Sequence, residues 1–257
     1  MRLSEKFNAL KEKDEAALII YTTAGFPSMK SFQNQLSVIA ENGADIIEIG
    51  IPFSDPIADG PSIQASSQIG LENGATLSAV LKMVGSISLS VPLVFMSYLN
   101  PLLSYGREKL LRDMAKAGVN GLIIPDLPVE ESAEWRTSCK EAGVDLIFLV
   151  TPVTHEARIQ QVIDASSGFV YCVSLTGTTG ARKELSEGVT TFLESIASKT
   201  ETPVAVGFGV STPEHIRKLK SSADGVIVGS RVIDAIKNGE DLAGLVKSLK
   251  DATQNRG

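Results

Sequence analysis

Hydrophobic positions along this chain alternate between two rhythms. Short continuous apolar runs, suited to strands buried on both faces, are separated by stretches with apolar residues every three or four positions, suited to amphipathic helices. Ser4 to Lys13, with Leu3, Phe7 and Leu10 on one face, predicts a short N-terminal helix. Ala17 to Pro27 (ALIIYTTAGFP) predicts a strand that ends in a turn holding Gly25 and Pro27. Ser31 to Asn42 follows as a helix with Phe32, Leu36 and Ile39 inward and Gly43 as its stop. Ile46 to Gly50 is the second strand, then a long loop, then helical sequence from about Ile63 to Leu71 and from Leu77 to Leu89. Val91 to Met96 is the third strand, with YLNPLLSYG as its outgoing loop.

The same alternation continues to the C-terminus. Arg107 to Ala117, Val129 to Glu141, a segment ending at Ala165, Gly188 to Lys199, the run opening GSRVIDAI and Leu242 to Leu249 are predicted helices. Gly121 to Ile124, Asp145 to Val150, Phe169 to Val173, Val204 to Phe208 and Gly225 to Val228 are predicted strands. Pro213, with Ser211 and Glu214 as a capping box, opens one further helix. Eight strands alternating with helices, without a Pro/Gly/Ser linker, predict an α/β fold. The expected form is a single-domain (β/α)8 TIM barrel over residues 1–257 with a short N-terminal helix. The competing open, doubly wound sheet would want GxGxxG after the first strand, and the chain has neither that nor a GxxxxGK[ST] loop.

Composition narrows the function classes. Of 257 residues 43% are hydrophobic and 21% charged, enough apolar material for a large core. A net charge of −6 without a basic block argues against nucleic acid. No apolar run is long enough to span a bilayer, and the charged N-terminus lacks the pattern of a signal peptide, so a cytoplasmic protein is expected. Cys139 and Cys172 have no metal-like spacing and read as buried thiols. His155 and His215, each at a predicted helix start, read as solvated residues, and no metal is expected.

The chemistry concentrates in IIEIGIPFSDPIADGPSIQ, Ile46 to Gln64. Glu48 stands inside an apolar strand, where a carboxylate is costly unless paired or used. Strand alternation puts Ile47 and Ile49 on one face and Ile46, Glu48 and Gly50 on the other. Asp59 follows in the loop, at the C-terminal end of the barrel where active sites of this fold lie. GFG (Gly207 to Gly209) and VGS (Val228 to Ser230), one βα unit apart, suit a phosphate held by backbone N–H groups without a Lys or Arg. TGTTG (Thr176 to Gly180) suits a lid. Each has a plainer reading: Glu48 a structural carboxylate, Asp59 a turn residue, Asp126 a turn or helix-capping residue, and the glycines an aid to close packing. Two carboxylates and an anion site at one barrel mouth point to general acid/base work on a phosphorylated small molecule.

EIGIPFSDPIADGP resembles the signature of the tryptophan synthase α-subunit family. YTTAG, PDLPVEES, SLTGTTGAR, GFGVSTPEH and the GS after the last strand match in family order, so the resemblance runs from about Tyr21 to Ser230. It implies retro-aldol cleavage of indole-3-glycerol phosphate to indole and glyceraldehyde 3-phosphate, with no cofactor in this chain. It puts the catalytic acid/base on Glu48 and the acceptor for the indole N–H on Asp59. It puts phosphate on Gly180, Gly209, Gly229 and Ser230, and a lid contact to Asp59 on Thr179. Tyr21, Tyr98, Leu99, Tyr171 and Phe208 become the walls of the indole pocket. It further implies a pyridoxal-phosphate β subunit as partner in an αββα heterotetramer, met through Pro52, Asp55 and the segment Tyr98 to Ser104. Phe26 departs from the family, which more often has Asp there; the departure concerns contacts of the first loop.

Three other functions compete. A free-standing lyase would share both carboxylates and differ in its turnover without a partner. Indole-glycerol-phosphate synthase and phosphoribosylanthranilate isomerase share the phosphate site, but the first would want a catalytic lysine at a strand end, which is missing. A non-catalytic regulatory subunit would not need Glu48 and Asp59 intact.

Overall fold

The computed structural model describes residues 1–173, 188–207 and 209–255. Its elements are, in order, α1 (Leu3–Lys11), β1 (Ala17–Thr23), α2 (Met29–Glu41), β2 (Ile46–Gly50), α3 (Pro61–Glu72), α4 (Leu77–Val84), β3 (Leu93–Met96), α5 (Leu99–Tyr105), α6 (Arg107–Ala117), β4 (Val119–Ile123), α7 (Ala133–Ala142), β5 (Asp145–Ile147), β6 (Leu149–Val150), α8 (Glu156–Ala165), β7 (Val170–Val173), α9 (Val189–Ala197), β8 (Val204–Gly207), α10 (Pro213–Leu219), β9 (Gly225–Val228), α11 (Ser230–Asn238) and α12 (Leu242–Thr253). The strands pair in the order β5-β4-β3-β2-β1-β9-β8-β7-β6, all in parallel. The outermost strands, β5 and β6, are consecutive pieces of one segment divided at Phe148, whose carbonyl accepts the Tyr171 N–H at 3.0 Å. The sheet therefore closes through that segment, and the expected fifth strand is two short ones: this is the (β/α)8 barrel.

Alternation along the strands builds two apolar layers. Leu18, Ile20, Ile47, Ile49, Phe95, Leu122, Val206 and Val226 face the helices and form the outer layer with Phe32, Leu36 and Val80. Ile19, Tyr21, Ile46, Val94, Met96, Ile123, Tyr171 and Ile227 fill the lumen. The N-terminal helix joins the lumen: Leu3, Phe7 and Leu10 of α1 are buried with it, and the Phe7 and Phe169 rings lie 5.8 Å apart. Closing the lower end in this way leaves the C-terminal mouth as the route to the lumen. Among the described residues no helix is long and apolar enough to cross a membrane.

Several elements differ from expectation for local reasons. YLNPLLSYG contains α5, because Pro101 sits in the first turn, where its missing N–H costs nothing. Asp126 accepts the Leu99 N–H at 2.8 Å and caps that helix from the neighbouring loop. The helix expected from Val129 is a 3₁₀ turn, Val129–Glu131, and α7 begins only after Ser132. Thr212, rather than Ser211, caps α10, accepting the His215 N–H at 3.3 Å. His215 is buried, not solvated, and its Nδ1 accepts from the Ser211 N–H at 3.4 Å. Cys139 and Cys172 are buried thiols, and burial pushes each up to about 12.

At the lower rim Asp45, just ahead of β2, ties three elements together. Its Oδ2 accepts the Leu18 N–H of β1 and the Lys250 Nζ of α12, each at 2.9 Å, and Lys250 also reaches Glu15 at 2.7 Å. Asp45→Ala would leave a buried N–H and an ammonium short of a partner. The expected loss is about 2–4 kcal/mol of unfolding free energy, read by urea denaturation. Adding Lys250→Met should cost much less than the sum of the single changes.

Candidate active site

β2 carries Glu48 into the lumen between Tyr21 of β1 and Val94 of β3, its register partners on either side. Glu48 is 1% exposed, and its Oε2 has no hydrogen-bond partner among the described residues. Burial, and after it the charge of Asp59, pushes its pKa up to about 8. At neutral pH Glu48 is therefore mainly a protonated acid with one oxygen free for a reacting group.

The loop after β2 delivers Asp59 to the same place. Gly60 and Pro61 start α3 in the conformation proline favours at a first helical position, so Asp59 lies just ahead of the helix. The Tyr98 hydroxyl fixes it, accepting the Ala58 N–H at 3.0 Å and donating to Asp59 Oδ2 at 3.1 Å. The Tyr98 ring is braced in turn by Phe53, at a centroid distance of 5.3 Å. Burial raises Asp59 to about 6, partly offset by the Tyr98 hydrogen bond. Two carboxyl groups in one pocket thus differ in state near neutrality: Glu48 holds its proton and Asp59 has lost it.

Two tyrosines shape the walls. The Tyr21 hydroxyl lies 2.0 Å from where a Cβ on Gly50 would be, and the Tyr171 hydroxyl 2.4 Å from the equivalent point on Gly207. Each ring leans across a neighbouring strand that must have glycine there. Met96, Ile63 and Ile227 complete the apolar lining. On the far side stand Gly209, Val210 and Ser211 after β8, and Gly229, Ser230 and Arg231 where β9 passes into α11. Gly209 has φ +80°, a conformation L side chains resist. Gly229 gives the start of α11 no side-chain cap, which suits an anion. The pocket encloses about 560 Å³ including its open mouth.

The structure thus brings Tyr21, Glu48, Asp59, Tyr171, Gly209, Gly229 and Ser230 together around one pocket. Tyr98 is drawn out of the lining by its bonds to the Asp59 loop, and Leu99 packs against the outer layer because the chain turns into α5 there. Neither is among the described residues that line the pocket. Thr179, Gly180 and Phe208 lie outside the described residues. Of the expected partner-facing pair, Asp55 is exposed, whereas Pro52 is buried against Gly70 and shapes the loop from beneath. Sequence reasoning passed over Met96, Ile227 and Arg231. The first two were legible as strand-end residues in phase with Glu48 and Tyr21; Arg231 had no signal beyond adjacency to Ser230.

Comparisons with known proteins point to one family. The family model described as Tryptophan synthase alpha chain matches residues 7–256. The tryptophan synthase alpha chain of Methanosarcina acetivorans is 46% identical, with 97% of this chain and 93% of that one covered. The alpha chain of Carboxydothermus hydrogenoformans is also 46% identical, over 92% and 90% of the two chains. A structure of Mycobacterium tuberculosis tryptophan synthase superposes with a TM-score of 0.92 at 35% identity, covering 98% of each chain.

The buried Glu48 carboxyl makes stability depend on pH in a defined direction. Its pKa is higher in the folded chain, about 8, than the ordinary 4.5, so the folded state binds the extra proton between those values and loses stability as pH rises through them. Glu48→Gln removes that loss. The variant's advantage over the parent in urea unfolding should be smallest near pH 4.5 and grow by a few kcal/mol up to about pH 8. A constant difference across that range would mean the carboxyl is not desolvated as described.

Proposed function

The chain belongs to the tryptophan synthase alpha chain family, and we propose that Glu48 and Asp59 are the groups with which it cleaves indole-3-glycerol phosphate. As a member of that family it is a carbon–carbon lyase of tryptophan biosynthesis, yielding indole and glyceraldehyde 3-phosphate. The observation that carries the residue assignment is the free, buried Oε2 of a protonated Glu48 facing the same pocket as an ionised Asp59.

Cleavage needs one proton delivered and one removed. Protonating indole C3 breaks the ring's aromaticity and leaves an iminium that can receive the electrons of the side-chain bond. As that bond breaks, the adjacent glycerol hydroxyl becomes the aldehyde and releases its proton. Glu48 gives the first proton and its carboxylate takes up the second, so it ends as it began. Asp59 accepts a hydrogen bond from the indole N–H, which grows more acidic as positive charge develops on the ring. Tyr98 keeps that carboxylate aimed. The wall formed by Tyr21, Tyr171, Met96 and Ile227 suits the flat ring, and the glycine-lined end suits the phosphate.

The reading extends to a partner. Indole is apolar and crosses membranes, so a β subunit that takes it up directly and carries the pyridoxal phosphate completes the reaction sequence in an αββα heterotetramer in the cytoplasm. The exposed Asp55 and Ile57 of the loop after β2, together with the exposed Leu103 of α5, support a surface there for that subunit.

Indole release by the purified chain, with and without a tryptophan synthase β subunit, tests the assignment. Slow release alone and strong stimulation by the partner are expected; fast release alone would make this a free-standing lyase, and none in either case would sink the substrate. Glu48→Gln should lower kcat by about 10²–10⁴-fold while ligand binding survives. For the unaltered enzyme kcat/KM should follow a bell, rising as Asp59 ionises about pH 6 and falling as Glu48 ionises about pH 8.

A further inference from the structure

Charge balance at the phosphate end points to a residue outside the backbone cradle. Asp59 already brings a negative charge to the pocket, and among its described lining residues Arg231 is the one that carries positive charge. A phosphate ester adds up to two further negative charges near neutrality. Backbone N–H groups orient a phosphate but carry only partial charge.

Arg231 is well placed and weakly committed. It directly follows Ser230 in the first turn of α11. Its Nη2 donates to Glu240 Oε2 at 2.5 Å, and the other oxygen of Glu240 accepts from Asn238 Nδ2 at 3.3 Å. The two charged side chains are 29% and 39% exposed, and ion pairs that open to water hold little energy. A phosphate offers the guanidinium fork two oxygens and about twice the charge of a carboxylate.

We propose that Arg231 is a switching counter-ion for the substrate's phosphate, leaving Glu240 when indole-3-glycerol phosphate binds. The assignment rests on the lyase reading for the identity of that substrate. It makes Glu240 a competitor of the phosphate: whatever strengthens the Arg231–Glu240 pair weakens substrate binding. It also gives the phosphate end a selectivity the backbone cradle lacks, because a neutral glycerol group would not draw the guanidinium away.

Arg231→Ala and Glu240→Gln separate this from a structural role, since both remove the same ion pair. If the pair only held α11 in place, the two variants would shift KM in the same direction. The proposal expects opposite directions. Arg231→Ala raises KM for indole-3-glycerol phosphate by about tenfold or more, with kcat falling far less than kcat/KM, while Glu240→Gln lowers KM by roughly two- to fivefold. Shifts of like sign, or a KM for Arg231→Ala within about twofold of the parent, overturn it. The rise in melting temperature produced by inorganic phosphate provides a second readout, expected to shrink in Arg231→Ala and to grow in Glu240→Gln. Should the parent chain release no indole, the lyase reading fails on its own, and the phosphate shifts still decide: opposite signs keep Arg231 as the anion's partner, and like signs remove it.

Discussion

A carboxyl group buried in a barrel lumen among apolar side chains, one of its oxygens without a hydrogen-bond partner among the described residues, is the constraint around which this molecule is arranged. Water would solvate the ionised form of Glu48 far better than the lumen does, so the folded chain holds it as the neutral acid. Strand geometry makes the arrangement enforceable. Hydrogen bonds to β1 and β3 fix the β2 backbone on both sides, so Glu48 cannot retreat to solvent without unzipping the middle of the sheet. Asp59 rides on a loop and takes its position from the Tyr98 hydroxyl, which holds the ionised form in place. A strand-borne acid and a loop-borne carboxylate therefore differ in protonation because they differ in how each is held.

The two ends of the barrel divide the burden this creates. At the lower end α1 closes the lumen with Leu3, Phe7 and Leu10, and Asp45 links β1 and α12 through buried, charge-assisted bonds. At the upper end the features are ones that detract from stability: an unsatisfied carboxyl oxygen, glycines at Gly50 and Gly207 that have no side chain of their own to bury, and a backbone at Gly209 that L side chains resist. Such features survive only on a scaffold stabilised elsewhere. Substitutions at the lower rim accordingly weaken folding, whereas one at the mouth such as Glu48→Gln relieves a stability cost, although both sets lie on the same strands.

How much of this could be read in the sequence follows from where each signal resides. Strand alternation is local, so the burial of Glu48 beside Ile46 and opposite Ile47 and Ile49 was legible, as was the barrel from eight apolar runs. Asp126 as a capping residue followed from its place between two prolines, and it caps α5. What escaped depended on contacts between distant segments. Tyr98 reads as one more aromatic at a strand end until the loop carrying Asp59 folds over it. His215 looks like a solvated helix start, yet α10 turns it inward beneath Ser211. The division of one strand into two at Phe148 shows only in its pairing, β5 with β4 and β6 with β7.

The order of the strands also explains how the proposed acid–base pair and the proposed anion site can share so small a pocket. Glu48 comes from β2, and Gly209, Gly229 and Ser230 from the ends of β8 and β9; β1 lies between the two groups in the sheet. The inner-face residue of β1 at that height is Tyr21, whose ring reaches over Gly50 on one side while its Cβ lies 3.4 Å from where a side chain on Gly229 would start on the other. Tyr21 is thus a spacer between the Glu48 acid and the glycine-lined end, and burial leaves its hydroxyl protonated throughout the working range. A substrate that satisfies both ends must be long enough to pass this ring, flat where it meets the tyrosines, and anionic only at its far end. An indole joined to a phosphate through a three-carbon glycerol chain meets those three demands, whereas a shorter phosphate ester would reach the glycine-lined end and leave Glu48 with nothing to protonate.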